Sequence, residues 1–471
     1  MSEKSITRQQ AGLVRRARTS LRDSADVAGA CSTEKFVVER AGEECDAREI
    51  EPNRKSRVNP GPFVVPSPGL QIPMKRFQKM NRWALAVGGC RSSAFCWPMR
   101  AYVAVIMVIG IISVEGALRA QTSNGKLKFD SGKDIYLQGC VSCHGTDGKG
   151  QAQVLAGFER PSTFPDFTDC PTATREPDVQ WRAIVTNGGP ARAFSQIMPS
   201  FKDLLTAEQI RMVVQYLRTL CTEKHWPQGD LNLPRPIVTE KAFPENEVVV
   251  SGSFNVQGAP GGGITAIYER RIGPSAMIEV GVPYNFAHDN TGTHSTFGDI
   301  TLGYKRKLYS SMQKGSILSW GGEITAPTGS KTAGTGGEST VFETFGAYGQ
   351  ILPKDSFFQL QTGIELPVHP NIVPRAYYLR TALGKTFSTD SGLGRRWSPM
   401  AEFVFDRDLV SGARTNVDIV PQVQIPISKR MHILGSIGLR VPANNTAGRP
   451  KELVFYLLWD YADGTLKQGW K

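Results

Sequence analysis

From Glu247 to the C-terminus, apolar and polar residues alternate with a period of two. In "SFFQLQTGIEL", Phe358, Leu360, Ile364 and Leu366 fall on one side, and Gln359, Gln361 and Glu365 on the other. "LSWGGEITA" sets Leu318, Trp320 and Ile324 against Ser319, Glu323 and Thr325; "FGDITLGYK" sets Ile300, Leu302 and Tyr304 against Asp299, Thr301 and Lys305. This is the pattern of β-strands whose two faces meet different surroundings. It predicts twelve strands: 247–256, 263–271, 275–285, 297–309, 315–327, 339–351, 355–367, 374–388, 396–407, 414–426, 430–441 and 450–460. Most exceed the usual soluble strand of about 5–6 residues and match the roughly 9–11 that cross a bilayer at a tilt. Strand length and number therefore favour an antiparallel transmembrane β-barrel over 247–471, apolar toward lipid and polar toward a lumen. The connections agree. Short ones ("IGP", "SSMQK", "LPKD", "ISK") alternate with longer ones such as "PTGSKTAGTGGE" along most of the segment. With twelve strands both termini leave from the short-turn rim, the periplasmic one in such barrels.

Ahead of the strands the period changes. In "LTAEQIRMVVQYLRTL", Ile210, Val213, Val214 and Leu217 recur at helical spacing, with Thr206 as N-cap and Gln209 at the third helical position of a capping box. Residues 121–229 read as a small all-α domain. "DLNLPRPIVTEKAFP", with three prolines, reads as a semi-rigid linker over 230–246. Residues 1–98 show neither period, which predicts a disordered or mis-started extension. An apolar run of 14 residues, Ala101–Val114, follows Arg100 and precedes "ALRA" ending at Ala120. That is short for a membrane helix and right for a signal peptide over 99–120.

Charge adds little. The formal net charge is +12, but residues 1–98 carry 17 Lys/Arg against 10 Asp/Glu, whereas from Gln121 onward the count is 36 against 32. The excess sits in the N-terminal stretch and gives no reason to expect a nucleic-acid partner. Export changes how the cysteines read, because a periplasm oxidises thiols. Cys31, Cys45, Cys90 and Cys96 have no metal-ligand spacing.

"GCVSCHG" at 139–145 is the informative motif. C-x-x-C-H attaches a c-type haem: two thiols, Cys140 and Cys143, add to the porphyrin vinyl groups, and the adjacent His144 supplies the proximal iron ligand. A redox dithiol would open a helix after a strand, yet "GTDGKG" follows; a zinc site would need a second ligand pair. Met198 in "QIMPSF" is the candidate distal ligand, on a loop stiffened by Pro199. Met212, inside the predicted helix, is expected to pack. Cys170 and Cys221 remain as an even pair, so a disulfide between them is one reading. His225 is either a ligand of another redox state or a solvated histidine at a helix end.

Residues about 126–225 resemble a class I cytochrome c, through "GKDIYLQGCVSCHG", "GTDGKGQ", "DVQWRAIVTNGG", "IMPSF" and the helix ending "QYLRTL". The resemblance implies an all-α fold with one covalent haem c, with Cys140 and Cys143 as anchors and His144 and Met198 as axial ligands. With both axial positions filled, electron transfer rather than enzymatic catalysis is expected. The strand-rich half resembles outer-membrane barrels of the family associated with meta-pathway phenol degradation, through "FGDITLGYKRKLY" and "GGEITAPTGS". That resemblance implies passage of small solutes, with aromatic molecules among the candidates. Many such barrels end on a terminal aromatic; here "ADGTLKQGWK" follows Tyr461.

The combination is similar to cytochrome–porin fusions. It predicts an outer-membrane protein with its cytochrome in the periplasm, working with periplasmic redox proteins. Lumen carboxylates Glu279, Asp299, Glu323, Glu365, Glu402 and Asp418 are expected either to favour cations such as a reduced metal or to be general lumen polarity. Two alternatives stand beside electron transfer: a solute transporter whose cytochrome accepts electrons from a periplasmic dehydrogenase, and a barrel that only anchors the cytochrome.

Overall fold

The computed structural model describes residues 128–152, 158–258, 260–289, 292–388 and 396–470. The predicted extension over 1–98 and signal peptide over 99–120, with Cys31, Cys45, Cys90 and Cys96, lie outside the described residues.

The first part is helical: α1 (Gly132–Gly139), α2 (Val141–His144), α3 (Cys170–Ala173), α4 (Asp178–Asn187) and α5 (Ala207–Arg218). Ser131 caps α1, its hydroxyl accepting from the Asp134 N–H at 3.1 Å. At α5 both halves of the capping box form: Gln209 N–H to Thr206 Oγ1 at 3.1 Å and Thr206 N–H to Gln209 Oε1 at 2.8 Å. The α5 face of Ile210, Val213, Val214 and Leu217 buries against Ile135 and Tyr136 of α1, with Phe167 and Val185. Gly132 makes this approach possible, since a Cβ there would lie 2.0 Å from the Met212 carbonyl oxygen.

The second part is a closed antiparallel barrel. Its strands are β1 (Glu247–Gln257), β2 (Gly261–Ile272), β3 (Ala276–Asp289), β4 (Gly292–Phe297), β5 (Ile300–Ser311), β6 (Ser316–Ala326), β7 (Val341–Leu352), β8 (Ser356–Pro367), β9 (Ala376–Lys385), β10 (Ser398–Asp408), β11 (Asn416–Pro426), β12 (Ile433–Pro442) and β13 (Lys451–Asp460). Going round the wall, β1 pairs with β13 and β2, β2 with β3, β3 with β5, and each later strand with the next, so the sheet closes; β4 pairs with β3 alone. The β4 and β5 segments both pair with β3, β4 beyond Tyr284 and β5 below Gly281. They are one strand interrupted at Gly298–Asp299, which makes the wall twelve strands, as the alternation predicts.

The wall has the inverse polarity of a soluble core. Gln359, Gln361, Arg380 and Glu402 are buried inside, whereas Leu302, Trp320, Leu366, Ile437 and Leu457 lie exposed outside. That arrangement suits lipid outside and a polar lumen.

The segment read as a linker does not merely space two domains. After a 3₁₀ turn at Gly229–Leu231, residues 233–245 run through the lumen without helix or strand, bending at 237–239 and 242–243. The Glu402 carboxylate (β10) accepts from the backbone N–H groups of Ile237 at 2.9 Å, Val238 at 3.0 Å and Thr239 at 2.6 Å, and from the Thr239 hydroxyl at 2.6 Å. Gln359 (β8) donates to the Pro234 carbonyl at 2.7 Å, Tyr456 (β13) to that of Arg235 at 2.9 Å, Arg380 (β9) to that of Val238 at 3.1 Å, and Lys305 (β5) to that of Lys241 at 2.8 Å. Arg235 pairs with Glu269 (β2) at 2.7 Å and Glu247 (β1) at 3.2 Å. Phe243 and Leu231 bury against Ile317, Phe345 and Tyr378. The prolines fit this role: Pro234, Pro236 and Pro244 remove three N–H donors that a dry lumen would otherwise have to satisfy.

Candidate functional site

The C-x-x-C-H residues sit at the corner where α1 turns into α2. Cys140 closes α1, its N–H bonding to the Tyr136 carbonyl, and begins α2. The loop after His144 folds back under it. Gly150 N–H bonds to the His144 carbonyl at 2.8 Å and Gln151 N–H to that of Cys143 at 2.9 Å. The fully buried Tyr136 hydroxyl donates to the Gly145 carbonyl at 2.6 Å. Gly145, with φ of +73°, takes the left-handed turn this return requires. The His144 ring lies 5.0 Å from the ring centroids of both Phe164 and Phe167.

Met198 arrives from the other side, on the loop after α4. The Gly189 N–H bonds to its carbonyl at 3.0 Å, and a Cβ on Gly188 would come within 2.9 Å of that same oxygen. The Gly188–Gly189 pair in "TNGGP" thus holds the methionine loop close. Cys140, Cys143, His144 and Met198 all line one cavity of about 800 Å³. Cys140 and Cys143 are free thiols, available for attachment. Burial, with Cys143 beside it, pushes the Cys140 thiol up to about 11. Burial also holds the His144 imidazole neutral, lowered to about 4, which is the ligating form. Its Nδ1 has no hydrogen-bond partner among the described residues. A thiol pair, a neutral imidazole and a thioether around a largely apolar cavity are a donor set that fits haem c.

Cys170 and Cys221 are joined by a disulfide, Cα–Cα 5.1 Å, tying α3 to the segment after α5. It closes a loop of 51 residues, worth at most about 4 kcal/mol by chain entropy. Replacing both cysteines with alanine is expected to lower the unfolding free energy of the helical domain by about 2–4 kcal/mol, read from a guanidinium melt followed in the haem absorbance. His225 is exposed and does not line the cavity; its carbonyl accepts from Lys307 at 2.7 Å. Met212 packs on the helical core.

The lumen carboxylates are largely engaged. Glu402 caps the plug, and Asp299 holds the loop between β6 and β7, accepting from Gly329 N–H at 2.9 Å and Gly337 N–H at 2.6 Å. Asp418 pairs with Arg440 at 2.7 Å and also with Arg449. Glu279 and Glu365 are buried on the lumen side, and Glu323 faces it half-buried. Glu402, Asp299 and Asp418 thus hold the protein's own groups rather than lining a free cation path.

One wall of the cavity was invisible to local sequence reading. Arg192 contributes from the 3₁₀ turn Gly189–Arg192, and Arg430, Tyr461, Asp463 and Gln468 come from the barrel. No motif marks these residues; they meet because the tail after β13 folds back on the rim.

Residues 128–217 match the family model described as cytochrome C oxidase, cbb3-type, subunit III. They are a cytochrome c domain, and the chain is a fusion of that domain with an outer-membrane-type barrel. No curated protein matches the chain. Among solved structures, an outer membrane channel from Pseudomonas putida F1 is similar at 12% identity and TM-score 0.36, over 48% of this chain and 98% of its own. KdgM porin is similar at 6% identity and TM-score 0.32, over 46% and 99%. LpxR from Salmonella typhimurium is similar at 8% identity and TM-score 0.29, over 46% and 100%.

Proposed function

We propose that this protein is a mono-haem c-type cytochrome held at the outer membrane by its barrel, passing electrons between periplasmic redox proteins and that membrane. The observation that carries it is the convergence of Cys140, Cys143, His144 and Met198 on one cavity. Haem c bound there supplies reversible one-electron chemistry. The chain's own residues do the rest. Cys140 and Cys143 would hold the group covalently and His144 and Met198 would ligate its iron, while Phe164, Phe167 and Trp181 line the cavity with apolar surface that raises the cost of charge. Two protein ligands on the iron would favour electron transfer over substrate chemistry at the metal. The outer membrane as location follows from the apolar exterior and closed wall. The periplasmic side for the cytochrome is supported by the rim it contacts: turn 427–432 and the tail after β13 lie on the rim that also carries the short turns 273–275, 312–315 and 353–355.

The test is a haem stain and a redox titration of the purified outer-membrane fraction. Met198→Ala is expected to keep covalent haem, to lower the reduction potential, and to let the reduced form bind carbon monoxide. A variant with unchanged potential and an unreactive iron would remove Met198 from its role.

A second reading, the barrel as anchor rather than channel, draws support from the occupied lumen. Free passage of solutes needs that segment displaced, and the same filled lumen counts against a constitutively open transporter.

A further inference from the structure

The haem cavity is not completed by the cytochrome domain. Its remaining wall is the barrel's tail, Tyr461 to Gln468, together with Arg430 of the turn between β11 and β12. The tail is pinned to that rim. Lys429 N–H bonds to the Gly469 carbonyl at 2.8 Å, Trp459 Nε1 donates to the Gly464 carbonyl at 2.8 Å, and Thr465 N–H bonds to Gln468 Oε1 at 3.0 Å.

Two guanidinium groups face the cavity from this seam. Arg192 is 2% exposed and Arg430 5%. Arg192 donates to Gln180 Oε1 at 2.7 Å and to the Arg430 carbonyl at 3.3 Å. Arg430 donates to the Ala193 carbonyl at 2.8 Å, to the Asp463 carbonyl at 3.4 Å and to Gln468 Oε1 at 3.3 Å, with its guanidinium 4.6 Å over the Phe194 ring. Every one of these acceptors is neutral, and both Nε atoms lack a hydrogen-bond partner among the described residues.

Two other buried arginines are paired differently. Arg235 has Glu269 at 2.7 Å and Arg440 has Asp418 at 2.7 Å. Among the described residues, no carboxylate comes within 4 Å of Arg192 or Arg430. The nearby acids do not supply one: Asp463 is engaged by Arg175, and burial with Asp463 beside it holds the Glu176 carboxyl well above the usual range. Buried cations without an anion are expensive, and proteins pair them. Haem carries two carboxylates on one edge, the complement this wall lacks.

We propose that Arg192 and Arg430 bind the haem carboxylates, so that the cytochrome's cofactor site is built jointly by the cytochrome and the barrel. This rests on the haem reading above. The barrel then contributes a residue to the redox centre itself, and the cofactor's environment depends on the docking of the two parts. A guanidinium beside the haem edge disfavours the more positive oxidised iron, so removing it lowers the reduction potential.

The test uses the full chain in detergent, with haem content and spectroelectrochemical titration as readouts. Arg430→Gln is expected to retain stoichiometric haem while the oxidised-to-reduced ratio at fixed potential rises about tenfold, a downward shift of about 59 mV. It should also gain a pH-linked step in the potential, as a haem carboxylate left without its partner protonates. Arg430→Lys should stay near wild type, because it keeps the charge. Lys354→Gln, which removes an exposed charge from turn 353–355 on the same rim, should leave the potential unchanged. The proposal is overturned if Arg430→Gln titrates like Lys354→Gln, or if Arg430→Lys falls as far as Arg430→Gln. In both cases retained haem leaves the function above intact. A wild-type protein without haem overturns both.

Discussion

Replacing Cys140 and Cys143 together with serine is expected to abolish haem staining on a denaturing gel and to collapse the helical domain, while the barrel still assembles. In the function proposed above the two thiols are the means of covalent attachment, so the first effect is all or none. The second follows from size. Holding a cavity of about 800 Å³ dry would cost on the order of 20 kcal/mol at about 24 cal/mol per Å³. That exceeds the roughly 5–15 kcal/mol of a whole domain's stability. Without its occupant the cavity must fill with water or close. Its lining, including Trp181, Leu205, Val213 and Leu217, belongs to or packs on the same core that holds α1 against α5. Loss of the helical signal with retained heat-modifiable barrel migration is the expected pair of results. Haem that survives denaturing electrophoresis in the double variant would place attachment elsewhere.

Local pattern carried the architecture far. The alternation gave every wall strand to within a few residues, because one face of each meets lipid and the other a polar lumen, and only a period of two satisfies both. The capping box at Thr206 and the face from Ile210 to Leu217 were equally legible, since both are set within one helix. What stayed hidden is what long-range partners decide. Residues 286–296 read as a connection, yet β3 runs on to Asp289 and pairs with β4; "AHD" and "GTHST" keep strand pairing without the apolar half of the alternation. The segment 230–246 reads as a semi-rigid linker because it is rich in proline. Its acceptors and donors, such as Gln361, Glu402 and Tyr456, lie more than 100 residues away. Arg192 and Arg430 are 238 residues apart and carry no motif; only the folded tail brings them to one wall.

The second large effect concerns the lumen. Glu402→Leu is expected to turn a closed barrel into one that conducts in planar bilayers. The wild-type carboxylate accepts three consecutive backbone N–H groups of the plug, at Ile237, Val238 and Thr239, and the Thr239 hydroxyl besides. Leucine accepts none. The Ile237 N–H keeps Gln422 Oε1 at 3.1 Å, but the Val238 and Thr239 N–H groups and the Thr239 hydroxyl are left without acceptors, at about 1–3 kcal/mol each, together on the order of 3–9 kcal/mol against the seated position. The opposing anchors, Gln359 to Pro234, Tyr456 to Arg235 and Arg380 to Val238, span only a few residues on either side, so release at Glu402 loosens the middle of the segment. Replacing 233–243 with glycine and serine at equal length removes the side-chain anchors as well and should give the larger, steadier current. The plug is also rooted in the cytochrome domain, where the Asp230 carboxylate accepts from the Asp178 N–H at 3.2 Å. Displacing it therefore strains the seam that forms one wall of the haem cavity, and the glycine–serine variant is expected to show a broadened haem potential alongside its current. Wild-type-like silence in both variants would mean that the lumen is closed by something other than this segment.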